Sequence, residues 1–230
     1  MEHAITPLPS FLHLTLQGSL LAMCVGTCSR ILGPGLLTLG LLSIIANIFL
    51  LFPSWEWKYL TMGRITINAM IVPGVWGGGL LVFPAAIHIT AVGWRWSSVH
   101  NSGTCQNMFL SIVLSALALM GSAACFILSG VGVTEGPLCL YNSTYNQRKM
   151  QQWDYPFLVM DTPDLNSRAK NYLYDPSLWN TVCIEPRNVV AWNVYFFFTL
   201  LIISMVEMVL AALQIINGFL GCICGFCDKK

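Results

Sequence analysis

From Val189 to Phe226 the chain is apolar for longer than an ordinary soluble helix, and about 20 such residues already cross a bilayer. One carboxylate, Glu207, stands near the middle of this run. A charged side chain at that depth costs about 2.5–3.5 kcal/mol on insertion scales, so Glu207 is expected to be neutral, paired or turned to a cavity. Gln214 and Asn217 follow seven and ten positions later. At 3.6 residues per turn the three share roughly one face, which should look toward other helices.

Composition extends the same reading to the whole chain. Of the 230 residues, 56% are apolar and 9% charged, far below the roughly 25% charge of ordinary soluble domains. The net charge of +1 offers no basic field, which argues against a nucleic-acid partner. Further apolar stretches divide the chain into segments. Residues 1–30 read as a cytosolic amino-terminal segment, with Pro7, Pro9 and a leucine-rich piece too short to span. It is expected to be a disordered or membrane-surface tail, with Met23 as an alternative start. The first span is 31–52, followed by a short loop at 53–68 whose Trp55, Trp57 and Tyr59 suit a water–lipid boundary. The second span is 69–93, the connecting loop 94–107 and the third span 108–133. A large loop at 134–188 then leads into the fourth span, 189–221, and a tail, 222–230. The fold class is an all-α membrane protein, a four-transmembrane-helix bundle with one disulfide-stapled extracellular loop.

The large loop holds Cys139 near its start, Cys183 near its end and a glycosylation sequon at Asn142. These signals point outside the cytosol. A bridge between the two cysteines would close the loop above the third and fourth helices. With that loop outside, Cys24, Cys28, Cys105, Cys222, Cys224 and Cys227 fall at or near the cytosolic face, where disulfides are disfavoured. Palmitoylation of these thiols is the leading reading, and a zinc site from Cys24, Cys28, Cys224 and Cys227 the competing one. Gly74, Gly77, Gly78 and Gly79 give the second span a smooth side for close helix packing. Ser111, Ser115, Ala118 and Ser122 make a small-residue stripe on the third. His88 is expected to make an interfacial or interhelical hydrogen bond rather than to bind a metal.

Several of these motifs together resemble the transmembrane 4 L6 family: Met23-Cys24 with Gly26, Cys28 and Arg30; Gly77-Gly78-Gly79-Leu80; Glu135-Gly136-Pro137-Leu138-Cys139; Leu178-Trp179 with Cys183; and Gln214-Ile215-Ile216-Asn217-Gly218. The stretch Tyr172 to Asn180 is similar to the branch of that family numbered 19. The resemblance implies four spans, cytosolic termini, no known catalytic activity and a role in organising membrane partners such as integrins and tetraspanin-type assemblies. It leaves the plasma membrane and the endolysosomal membrane both open. Alternatives are an auxiliary subunit of a pump, transporter or channel, and a sterol-responsive protein. In the latter, Asn47 and Glu207 resemble the polar pair of tetraspanins, and cholesterol or another lipid would be the only small ligand. The plainer expectation is that Glu207 bonds to Asn47 or to a backbone carbonyl. No nucleophile–base pair, metal triad or phosphate loop appears in the water-accessible segments, so no enzyme activity or cofactor is expected.

Overall fold

The computed structural model describes the backbone at residues 10–95, 104–145, 148–159 and 172–227, and the side chains at 28–94, 106–142, 150–158 and 172–222. Four segments within it are long and apolar enough to cross a membrane: Cys28–Leu51, Ile67–Trp94, Gln106–Glu135 and Val189–Cys222.

Helix α1 runs from Ser10 to Leu51 without interruption. The stretch expected to form a separate tail is therefore helical from Ser10 onward. No charge lies between Ser10 and Arg30, and once a helix exists each added leucine, alanine or methionine extends it at little cost. Pro34 inside α1 removes the hydrogen bond to the carbonyl four residues earlier. After α1 the chain makes a 3-10 turn at Pro53–Trp55, with Ser54 and Trp55 at positive φ (56° and 65°). The short helix α2 follows at Lys58–Thr61.

The second span is not the continuous helix expected over 69–93. It is built of α3 (Ile67–Met70), α4 (Pro73–Val75), a π-helical turn at Trp76–Leu80, and α5 (Val82–Arg95). Pro73 explains the first break, because a proline disfavours the α conformation in the residue before it. Val72 itself is left-handed, at φ 48°, an uncommon conformation for a β-branched residue. Three consecutive glycines then supply little helix propensity, and the chain widens into the π turn, closed by Leu81 N donating to Trp76 O at 3.1 Å.

Helix α6 covers Thr104–Glu135 and ends at Gly136, whose φ of 75° and following Pro137 form a helix stop. The large loop then folds into an antiparallel hairpin, β1 (Cys139–Tyr145) and β2 (Arg148–Asp154), with Cys139 opposite Asp154. A further bridge ties β1 to the far end of the loop: Leu140 N donates to Glu185 O at 2.9 Å and Ile184 N to Leu140 O at 2.8 Å. Beside it lies the Cys139–Cys183 disulfide, with its Cα atoms 5.6 Å apart. Closing a loop of this length is worth about 4 kcal/mol in the chain-entropy model. Helix α7 (Pro156–Val159) and a 3-10 turn at Pro176–Trp179 complete the loop.

Helix α8 spans Val189–Cys227, beyond the boundary at 221 read from the sequence, because the glycines and cysteines after it contain no proline to stop the turn. In the bundle α1 packs against α5 and α8, and α6 packs against α5 and α8, so the helices form a closed ring. The loop has its own core, in which Cys139, Phe157 and Tyr172 pack on Val189, Val190 and Val194 of α8. Phe157 stacks on Tyr172 at 4.3 Å, and the Tyr172 hydroxyl donates to Val133 O. Of the loop aromatics, Phe157 and Tyr172 are buried, Trp153, Tyr155 and Trp179 half-buried, and Tyr174 is 87% exposed.

Candidate functional site

The inward residues of α8 recur in steps of three and four: Asn193, Phe197, Leu200, Ser204, Glu207, Ala211, Gln214 and Gly218 are buried. This 3.5-residue repeat makes a seam like that of a coiled coil. Facing it, α6 presents Ser111, Ser115, Ala118, Ser122, Cys125, Ser129 and Gly132 at the same spacing. Large residues on one seam meet small ones on the other. A Cβ at Gly132, for example, would lie 2.5 Å from the Phe197 ring.

Polar side chains divide the interior into three tiers. At the end away from the loop, Gln214 donates to Ser111 Oγ at 3.0 Å. Asn217 donates to Ser29 Oγ at 3.1 Å and to Gln214 Oε1 at 3.3 Å. Helices α1, α6 and α8 are thereby joined. At the loop end, Asn68 Nδ2 donates to Glu135 Oε2 at 2.7 Å, while Thr66 Oγ1 accepts from Leu138 N and from Asn193 Nδ2.

The middle tier holds Glu207, which is fully buried. Its surroundings follow from the break in the second span. Asn47 Oδ1 accepts from Gly74 N at 2.7 Å, and Ser43 Oγ donates to Gly74 O at 3.1 Å, so α1 satisfies backbone groups that the break releases. The indole of Trp76 caps Ile71 O at 3.0 Å. Glu207 Oε2 lies 3.4 Å from the position of a Cβ on Gly78, and that position also abuts Ser43. Cys125 borders Gly77 and lies 3.9 Å from Ser129 Oγ.

The expected bond between Glu207 and Asn47 is absent. Asn47 is drawn instead to the amide of Gly74 that the break frees, and neither carboxyl oxygen of Glu207 has a hydrogen-bond partner among the described residues. The Asn47 amide nitrogen is likewise buried and unpartnered. His88, expected to make an interfacial or interhelical hydrogen bond, has its Nδ1 unpartnered too. Ser43 was not singled out in the sequence, although it precedes Asn47 by four residues and so shares its helix face. Thr66 and Ser29 were missed as well, for want of any local pattern in the sequence.

The other singled-out residues are placed as follows. Each of Gly74, Gly77, Gly78 and Gly79 is buried at a helix contact: Gly74 against Ser43 and Leu200, Gly77 against Gly121, Gly78 against Ser43, and Gly79 against Ile44. Asn142 is exposed on β1. Cys28 is exposed and Cys222 half-buried, while the side chains of Cys24, Cys105, Cys224 and Cys227 lie outside the described residues. Among the described residues no three His, Cys, Asp or Glu gather as a metal-ligand set.

A family-wide sequence pattern described as L6 membrane protein matches residues 23–228. The chain belongs to that family. It is 44% identical to human transmembrane 4 L6 family member 19 over 88% of this chain and 94% of the relative. To the mouse protein of that name it is 44% identical over 90% and 95%. Human transmembrane 4 L6 family member 1 is 37% identical over 89% and 96%. No solved structure matches. With its four apolar spans, this L6 protein is a multi-pass membrane protein. The segments that carry the resemblance have clear positions in the fold: the glycine triplet forms the π turn, Glu135 to Cys139 ends α6 and opens the hairpin, and Gln214 and Asn217 form the tier away from the loop.

Proposed function

We propose that this L6 protein organises other membrane proteins without catalysing a reaction, with the stapled loop as its docking surface and the bundle as its anchor. The observation that carries the reading is apolar exposure on the loop, outside the spans: Tyr174 is 87% exposed, Met150 58% and Leu158 52%. Aromatic residues and methionine are the types that interfaces favour. Adhesion receptors and tetraspanin-type assemblies are the partner class proposed.

Proximity labelling in intact cells tests this, comparing the native chain with a Tyr174→Asp/Leu158→Asp variant at equal surface level. The expected result is loss of a defined set of receptors from the labelled proteins. An unchanged set would remove the loop from the proposal. Recovery of a single pump or channel at one-to-one stoichiometry would turn the reading to that of an auxiliary subunit.

A second reading rests on the unpartnered Glu207 carboxyl and Asn47 amide. They supply an acceptor and a donor for the hydroxyl of a sterol, once the helices around them part. Photo-sterol labelling should then fall in Glu207→Leu and persist in Glu207→Gln, which keeps hydrogen-bonding capacity. Equal labelling of all three proteins would sink the lipid reading.

A further inference from the structure

At the loop end of the bundle a small, partly open cleft lies between the last turn of α1, residues 64–66 and the first turn of α8. Three features of its lining point to one kind of occupant. Asn193, only 4% exposed, holds Thr66 Oγ1 with its amide nitrogen at 3.4 Å. The other end of that amide, Oδ1, is buried with no partner among the described residues, so a residue lining the cleft carries an acceptor in want of a donor. Arg64 stands exposed at the rim with its guanidinium 4.5 Å over the Trp153 ring, and no carboxylate pairs with it among the described residues. Leu50, Pro53 and Trp192 supply an apolar wall.

The depth of the cleft narrows the choice. Trp192 packs edge-on against Trp55 at 5.7 Å, and Trp55 is 71% exposed, as is Trp57 two residues on at 75%. Tryptophans in such a belt sit at the level of lipid headgroups. A ligand reaching this cleft from the membrane brings an acyl chain for the apolar wall, an anion for Arg64 and, if it matches Asn193, an N–H donor. We propose that the cleft binds the headgroup of an aminophospholipid, with the phosphate on Arg64 and the primary ammonium donating to Asn193 Oδ1. A choline headgroup has the phosphate but no N–H donor, so the same site should discriminate against it.

The test uses the full-length protein in phosphatidylcholine nanodiscs containing photoactivatable phosphatidylethanolamine, or phosphatidylcholine with the same acyl chains, with labelled peptides mapped by mass spectrometry. The ethanolamine lipid should label peptides at Leu50–Pro53 and Val189–Asn193 about tenfold more than the choline lipid, the size expected of one hydrogen bond involving a charged group. Arg64→Gln, at an exposed position, should fold normally and reduce that labelling by a similar factor. Asn193→Asp, which keeps an acceptor, should retain the preference for ethanolamine, and Asn193→Leu should erase it. Equal labelling by the two lipids, or no change in Arg64→Gln, would overturn the proposal. Full displacement of the lipid by water-soluble glycerophosphoethanolamine would overturn it in favour of a free phosphate ester.

Discussion

A methyl group on Gly78 would share its space with Ser43 and Glu207, 2.9 Å from Ser43 Cβ and 3.4 Å from Glu207 Oε2. Gly78→Ala is therefore expected to destabilise the bundle by about 1–3 kcal/mol, the usual cost of overpacking. Gly130→Ala provides the control, because its Cβ would meet Leu201 at an ordinary 3.9 Å. Thermal midpoints of the two purified variants decide the matter, and equal shifts would contradict the packing described here. At Tyr172, in the loop, burial pushes the phenol pKa above its ordinary value of 10. The folded loop keeps that proton after the unfolded chain has released its own. The stability contributed by Tyr172 is thus intact below pH 10 and is lost as the pH rises past it. Near-ultraviolet dichroism on alkaline titration should show the loop loosening in that range, with a shallower slope in Tyr172→Phe.

Among the elements, the interrupted second span sets the arrangement of the middle tier. The break frees the amide of Gly74, Asn47 moves to satisfy it, and Glu207 is left without the partner that sequence alone suggested. Asn47→Ala should cost about 1–3 kcal/mol, the penalty of a buried amide left unsatisfied. Hydrogen exchange at Gly74 and Val75 should quicken in that variant, and unchanged protection there would mean that the break is held by other contacts. This also marks where sequence reading fails. The spans were legible because apolar length alone reports them, and the Cys139–Cys183 bridge because two cysteines flank one polar segment. The break was written in Pro73 and the glycine triplet, but hydropathy carries no information about backbone continuity. The hairpin escaped because the sequences of Cys139 to Tyr145 and Arg148 to Asp154 place polar residues at both odd and even positions, which blurs the alternation that identifies a strand.

For the molecule as a whole, hydrogen bonds concentrate on α8. Asn193, Gln214 and Asn217 come from it, and their partners lie on the segment before α3, on α6 and on α1. The loop core is anchored on the first turns of the same helix. Translation delivers α8 after α1, α5 and α6. Until it emerges, α1, α5 and α6 must lie in the bilayer with a row of serines and bare glycine backbone turned toward lipid, a seat with no occupant. Arrival of α8 fills that row and gives the loop core, with Cys139 in it, the surface on which it packs. Completion of the bundle and packing of the loop core both await this one helix, and any chain halted before it displays its unfinished state to the membrane around it.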